Sequence, residues 1–286
     1  SYFSKAGAFA EQLGLSYYYF LSDLVRDFDV NSDEIVRRLA EVAKIIFAKS
    51  NLFIETIGES GEVSAVKDHL YEIADDLPDG NVYQKHTFDF AEGNKNEAFL
   101  TSGKVQYVGE GGDFRKYGFN YTGALRVMET ILRYEYLWKK VRVQGGAYGA
   151  FTQFLSDGTA ILCSYRDPNL KQTLETYKNL PEYIRTLELS DREMTKYVIG
   201  TMAADEIQLT PSMKGERAML HYLNGNSVEN RRKVNDEIVN CTVEDIRKLA
   251  PLLQSVIDHS SICVMGNEEK IHQDADVFDK ILSLPD

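Results

Sequence analysis

The sequence has 286 residues, of which 43% are hydrophobic and 27% charged, as expected for a globular protein with one large domain or two smaller ones. Its net charge of −12 gives a nucleic-acid backbone little to bind. The charge suits cationic partners such as basic peptides, but the preferred interpretation is a role in solubility alone. Apolar runs such as VAKIIFA are too short to cross a membrane.

The first 80 residues alternate between helical and extended patterns. The chain begins with a helical run that has a break near Gly14, and a second helix is predicted to begin at Asn31 or Ser32, either of which can serve as its N-cap. The segment NLFIETIG (51–58) has the length and composition of a buried strand. A third helix is predicted from Ser60. A turn signal, PDGN, closes this helix–strand–helix unit.

A domain boundary is predicted at residues 82–95, which are polar and irregular. A single strand makes a poor domain, so residues 1–85 are interpreted as the C-terminal part of a domain whose other strands are missing. The chain lacks an initial methionine and begins as though already inside a helix, which favours a piece of a longer chain. Residues 95–286 are predicted to form a complete domain.

This second region opens with two predicted strands, EAFLTS and KVQYVGE, followed by the long helical run YTGALRVMETILRYEYLWKK. The helical spacing of its apolar residues predicts one broad buried face. That face comprises Leu125, Met128, Ile131, Leu132, Tyr136 and Trp138.

The remainder of the region predicts a hairpin and then helices. Asp157-Gly158 separates two strand-like segments and favours a tight turn, and Asp167-Pro168 is typical of a helix N-cap followed by proline. The pattern is mostly helical to Asp258, and SSICVMG is the last predicted strand. The fold class that follows is α+β, an antiparallel sheet covered by helices.

A complete zinc site is not expected within this chain. The segment HLYE, from His69 to Glu72, begins like an inverted zinc-peptidase motif, but Ile73 occupies the position of the second histidine. No Cys-x-x-Cys occurs, and Cys163, Cys241 and Cys263 lie among apolar residues like small buried hydrophobes of a reducing compartment. No Gly-x-Ser-x-Gly elbow or phosphate-binding loop is present either.

The segment VRVQGGAYGAF places Arg142 and Tyr148 on either side of Gly145-Gly146. A guanidinium and a phenol that converge on one point could stabilise a developing oxyanion, and the glycines would allow a tight turn close to a bound peptide. The alternative is structural, with Arg142 as a helix C-terminal charge and Tyr148 as a core residue. Arg166-Asp167 is interpreted as a buried structural pair.

The quoted segments carry a resemblance. LWKKVRVQGGAYGAF, the hairpin after it and SYRDPNLKQTLETY resemble the last domain of presequence proteases, the peptidasome branch of the pitrilysin/insulinase zinc metallopeptidases. The similarity continues through YVIGTMAADEIQLTPSMKGERAMLHYLNG to the end of the chain. Upstream, AGAFAEQLGLSYYYFLSDL resembles the closing part of the third domain of that family.

The resemblance implies a chain of four related α+β domains that close as two halves around a chamber for short unstructured peptides. Residues 1–85 would end domain three, and 95–286 would form domain four. The zinc motif of the family lies in its first domain, so zinc would belong to the full-length enzyme and not to this part. The substrate-contacting arginine and tyrosine of the last domain fall on Arg142 and Tyr148, and the glycines of the family fall on Gly145 and Gly146.

Two functional hypotheses follow. In the first, the chain is half of a zinc endopeptidase, inactive by itself, whose partners are peptide substrates and the N-terminal catalytic half. In the second, it is a catalytically inactive structural or binding half of a processing-peptidase-like assembly. Retention of Arg142 and Tyr148 favours the first hypothesis. A bacterial cytoplasmic location is preferred over the mitochondrial matrix, and neither nucleic acid nor membrane is an expected partner.

Overall fold

A computed structural model describes residues 2–80, 95–205 and 207–284. The chain forms two compact units built from non-contiguous segments. The sheet unit comprises residues 1–8, 91–207 and 228–286, and the helical unit comprises residues 9–90 and 208–227. The predicted boundary falls mainly on residues 81–94, outside the described residues. The assignment of 1–85 and 95–286 to two related domains stays a prediction.

Helices make up most of the helical unit. Their bounds, with α1 shared between the units, are α1 Lys5–Glu11, α2 Leu15–Arg26, α3 Phe28–Ile46, α4 Ser60–Asp75 and α9 Pro211–Leu223. The break near Gly14 and the helix from Ser60 agree with the sequence patterns. The N-cap predicted at Asn31 or Ser32 is wrong, because the Asn31 N–H already donates to the Asp27 carbonyl and α3 begins at Phe28.

The strand predicted at NLFIETIG does not form. Residues 52–57 are irregular and exposed, and no strand pairs with them in the part of the chain that the structure describes. Their apolar side chains instead contact α9, where Phe53 stacks on Tyr222 with ring centroids 5.9 Å apart and Ile57 packs against Gly215. An apolar run with strand composition stays irregular when no neighbouring strand accepts its backbone hydrogen bonds.

A six-stranded sheet is the centre of the sheet unit as far as it is described, with the strand order β3-β4-β2-β5-β1-β6. The strands are β1 Asn96–Thr101, β2 Gln106–Asp113, β3 Gly149–Phe154, β4 Thr159–Asp167, β5 Ser261–Asn267 and β6 Lys280–Ser283. Neighbours from β3 to β5 are antiparallel, whereas β1 runs parallel to β5 and to β6. The predicted helix-covered α+β sheet is confirmed, with parallel pairings at one edge.

Two details of the sheet depart from the sequence expectation. β1 and β2 follow each other in the chain, yet β5 lies between them and pairs with both. β6, which the sequence patterns do not predict, adds a further strand beside β1. Both departures depend on segments that are distant in sequence, which local patterns do not register.

The remaining helices of the sheet unit supply much of its core. They are α5 Gly123–Ile131, a π-helix Leu132–Gln144, α6 Lys171–Lys178, α7 Leu180–Arg185, α8 Asp191–Asp205, α10 Val228–Val239, α11 Val243–Arg247, α12 Ala250–Asp258 and α13 Glu268–Gln273. Their apolar residues pack with Val108, Leu162 and Val264 of the sheet. Each such side chain stabilises the fold by roughly 1.5–3 kcal/mol relative to exposure. None of the described helices is long and apolar enough to cross a membrane.

Candidate functional site

The π-helix determines which side chains of the long helical run face solvent. Its buried residues are Leu132, the adjacent pair Tyr136 and Leu137, and Val141. The buried positions thus recur once in each turn of four to five residues, as the i→i+5 hydrogen bonding of a π-helix requires. This wider turn places Trp138 on the surface, although an α-helical period predicts it in the core with the other five residues of its face. π-helical turns occur frequently at functional sites.

Arg142 lies in the last turn of the π-helix and is half-buried. Its guanidinium carbon is 3.9 Å from the centroid of the Trp138 indole ring. Such a cation–π contact at an exposed site contributes about 0.5–1 kcal/mol, and here it restrains a long side chain that would otherwise sample many rotamers. The indole therefore holds the Arg142 charge in one place near the end of the helix.

The two glycines form the turn that the sequence predicts. Gly146 has a φ of +81°, a left-handed conformation that terminates helices and favours glycine. A side chain at Gly145 would place its Cβ 2.5 Å from the Val141 carbonyl oxygen, so this position also requires glycine. Backbone N–H groups of Gly146 and Ala147 donate to carbonyls of the last helical turn at 2.9 and 3.1 Å. A contact between either glycine and a peptide stays a prediction.

Tyr148 follows the turn and is 59% exposed, so it is not a core residue. The centroid of its ring lies 5.9 Å from the guanidinium carbon of Arg142 and 5.8 Å from that of Arg166. Tyr165 contacts the same ring edge-to-face at a centroid distance of 5.4 Å. The fold thus brings Arg142 and Tyr148 together, and it adds Arg166, which the sequence interpretation assigned to a buried pair.

The buried Arg166-Asp167 pair is wrong. Arg166 is exposed, whereas Asp167 is buried and accepts hydrogen bonds from the Asn169 N–H at 2.9 Å and the Thr173 hydroxyl at 2.7 Å. Asp167 is not the helix N-cap either, because β4 extends through it and α6 begins only at Lys171. Because the Asp167 carboxylate already accepts hydrogen bonds from two neutral donors, it needs no guanidinium partner. The Arg166 side chain can therefore lie on the surface.

A hydrogen bond ties this loop to the glycine turn. The side-chain amide of Asn169 donates to the Gly145 carbonyl at 2.6 Å, and Asp167 orients Asn169 through its backbone N–H. The Tyr148 N–H donates to the Arg166 carbonyl at 3.2 Å. These contacts fix the positions of Arg142, Tyr148 and Arg166 relative to one another, as a preorganised site requires.

We refer to Trp138, Arg142, Tyr148, Tyr165 and Arg166 as the Arg–Tyr cluster. Within the described residues, neither guanidinium of the cluster has a carboxylate partner within ion-pair distance. Two permanent charges and a phenol therefore lie at the surface as hydrogen-bond donors. Chemically, the cluster can bind a carbonyl oxygen or an anion.

A metal does not fit the described residues. No group of three histidine, cysteine or acidic side chains in the described ranges could hold an ion. The incomplete motif HLYE lies on α4, where His69 contacts Glu72 at 3.1 Å. Any chemistry that depends on zinc would have to use ligands beyond these residues.

Comparison with known families identifies the chain. Residues 96–268 match the model of the PreP C-terminal domain, and these residues include the whole Arg–Tyr cluster. The chain belongs to the PreP C-terminal domain family. It is 41% identical over 285 residues to Protein HypA of Clostridium perfringens, covering 99% of this chain and 29% of that protein. The predicted resemblance to presequence proteases is therefore confirmed.

A second relative of this PreP C-terminal domain chain is presequence protease 1, chloroplastic/mitochondrial, of Arabidopsis thaliana. The two are 30% identical over 268 residues, which cover 93% of this chain and 25% of that protein. This chain thus spans less than a third of the length of either relative. Most of each relative therefore lies outside the segment that aligns with this chain.

Two solved structures share the fold of the PreP C-terminal domain chain. A peptidase M16 inactive domain from Pseudomonas fluorescens has a TM-score of 0.51 and 13% identity, over 71% of this chain and 50% of that one. A protease from Helicobacter pylori has a TM-score of 0.50 and 16% identity, over 73% and 53% of the two chains. At such identities the likeness concerns the fold alone.

Proposed function

We propose that this chain is the C-terminal part of a zinc-dependent endopeptidase that degrades short unstructured peptides in a closed chamber. Membership of the PreP C-terminal domain family and the similarity to a presequence protease over 93% of the chain support this proposal. Zinc and its ligands would come from an N-terminal half, and this chain alone would be inactive. The 41% identity to a clostridial protein favours a bacterial cytoplasmic enzyme over a mitochondrial one.

In this enzyme Arg142 and Tyr148 bind the peptide substrate. The observation that carries this role is that both groups are accessible, lack a carboxylate partner among the described residues and are held together by the glycine turn. Each donates a hydrogen bond to the carbonyl oxygen of the scissile peptide bond, and the bonds strengthen as negative charge develops there. Trp138 restrains Arg142, which lowers the entropy lost when the substrate binds.

Kinetics of the full-length protein test this role. Tyr148→Phe removes one hydroxyl and keeps the ring, and Arg142→Ala removes the charge. Each is expected to lower kcat/KM by roughly 10²-fold or more, mainly through kcat, because the lost contact forms in the transition state. Arg133 and Tyr134 provide a matched control, since they form a similar exposed pair on the same π-helix. The guanidinium carbon of Arg133 lies 5.7 Å from the centroid of the Tyr134 ring. Arg133→Ala and Tyr134→Phe should leave kcat/KM unchanged.

The opposite result identifies the alternative function. If Tyr148→Phe and Arg142→Ala both retain full turnover while Arg142→Ala melts at a lower temperature, the two residues serve structure alone. If the full-length protein cleaves no peptide even when loaded with zinc, the chain belongs to a catalytically inactive structural half. Steady-state rates and melting curves measured on the same protein samples distinguish these outcomes.

A further inference from the structure

Arg166 reaches the surface because β4 contains a bulge. Gln106 of β2 pairs with Asp167, and Val108 pairs with Ser164. Two steps along β2 thus correspond to three along β4, so β4 carries one extra residue at this point. Arg166 has a φ of +49°, and it is the only described non-glycine residue with a positive φ. Bulges of this kind redirect side chains and are frequent beside active sites.

Without the bulge, Arg166 would point to the other side of the sheet. Ala160, Leu162 and Ser164 alternate along β4 on its buried face, and regular pairing would continue that face to residue 166. A guanidinium there would be a buried charge, which is costly unless it is paired and hydrogen-bonded. In the bulged strand Tyr165 and Arg166 are both exposed, and the buried pattern resumes at Asp167. The left-handed backbone at Arg166 therefore places its guanidinium on the solvent-exposed surface.

The result is two guanidiniums beside one phenol. The side chains of Arg142 and Arg166 both lie within 6 Å of the centroid of the Tyr148 ring. One positively charged donor and one phenol suffice to bind a peptide carbonyl oxygen. Both guanidiniums raise the positive potential around the Tyr148 ring, so a ligand that carries a full negative charge is bound better here than a neutral one. The planar fork of arginine matches the two oxygens of a carboxylate.

We propose that Arg166 recognises a carboxylate of the bound peptide, either its free C-terminus or an aspartate or glutamate side chain. This inference rests on the proposed function, in which Arg142 and Tyr148 hold the scissile carbonyl. An extended peptide advances about 3.3–3.6 Å per residue, so the carboxylate lies within about three residues of that carbonyl. The cluster thus selects peptides with an acidic group close to the cleavage site, despite the overall charge of −12.

The experiment compares matched fluorogenic peptides in the full-length protein. One pair differs by glutamate against glutamine within three residues of the cleavage site, and the other by a free against an amidated C-terminus. The unmodified protein should prefer the carboxylate member of at least one pair by about three- to tenfold in kcat/KM, mainly through KM. Arg166→Gln should abolish this preference, and Arg166→Lys should restore part of it. Whichever pair responds identifies the source of the carboxylate.

Two further variants keep the result interpretable. Arg166→Gly fits the positive φ without strain, so it retains the bulge and should lose the preference in the same way as Arg166→Gln. Arg133→Gln removes an exposed arginine outside the cluster and should leave the preference intact. The proposal is overturned if Arg166→Gln keeps the preference of the unmodified protein, or if it slows both members of each pair equally. The proposed function fails by a different result. In that case Arg142→Ala and Tyr148→Phe cleave amidated peptides without acidic residues as fast as the unmodified protein does.

Discussion

The helical unit and the sheet unit use similar amphipathic helices with different results. In the sheet unit, α5 is nine residues long and buries six of them, from Gly123 to Ile131. In the helical unit, α3 is nineteen residues long, and none of them is buried although the structure describes all of them. Ala48 is the one fully buried hydrophobic residue among the described residues of the helical unit.

The difference shows that an apolar stripe predicts a helix but not its burial. Leu39, Val42 and Ile46 keep helical spacing on α3, yet each is at least 47% exposed. On α5, Leu125 and Met128 show the same spacing and are completely buried, because the sheet, α8 and α10 surround them. An apolar face stabilises a fold only when another element covers it. This contrast between the units leads to three expected outcomes.

The largest effect on stability is expected from the first of two matched leucine-to-alanine substitutions, one in each unit. Leu125→Ala opens a cavity in the sheet-unit core and should lower the free energy of unfolding by about 2–5 kcal/mol. Leu39→Ala is the matched change on α3, where the side chain is 63% exposed, and should change stability by less than about 0.5 kcal/mol. Denaturant unfolding followed by circular dichroism measures both. Equal losses in the two variants would show that the units do not differ in packing.

The next effect concerns pH and Glu110, a buried carboxyl on β2. Its Oε1 accepts a hydrogen bond from the Ser260 hydroxyl at 2.7 Å, and burial raises the pKa of Glu110 from 4.5 to about 7. Between these values the unfolded chain loses its proton while the folded chain keeps it. Stability therefore falls as pH rises from 4.5 to 7, by about 3 kcal/mol from this group, and stays constant above that window.

Glu110→Gln provides the test, because glutamine keeps the acceptor oxygen but cannot ionise. The free energy of unfolding of this variant, measured from pH 4.5 to 8, should lack the part of the pH dependence that Glu110 contributes. Near pH 8 the variant should be more stable than the unmodified chain. Identical pH profiles for the two proteins would mean that Glu110 ionises normally in the folded state.

The smallest effect is expected for Glu34 on α3, the exposed counterpart of Glu110. Arg37 and Arg38 donate to its carboxylate at 2.7 Å, and these hydrogen bonds lower the pKa of Glu34 to about 2. The associated stability is present above pH 4.5 and is lost as pH falls toward 2. Exposed ion pairs contribute little, so Glu34→Gln should shift the melting temperature detectably only at low salt. A decrease in melting temperature as large as the one caused by Leu125→Ala would contradict the conclusion that this exposed ion pair contributes little.

Some of the candidate site follows from sequence alone. The run LWKKVRVQGGAYGAF indicated a helix end, a glycine turn and two donors, and the turn forms as expected at Gly145 and Gly146. Arg166 was interpreted as a member of a buried pair with Asp167, and regular strand alternation would indeed place it on the same face as Ser164. The bulge that reverses this orientation depends on the pairing of β4 with β2, so the sequence of β4 carries no local signal for it.

The sequence by itself determined the features that depend on near neighbours in the chain. These are the break at Gly14, the helix from Ser60, the hairpin at Asp157-Gly158 and the family resemblance, all of which rest on contiguous residues. Only the tertiary structure decided that residues 52–57 form no strand and that β5 lies between β1 and β2. It also decided that a second arginine joins Tyr148. The physical reason is that backbone hydrogen bonds and burial need partners from distant parts of the chain, which only the fold brings together.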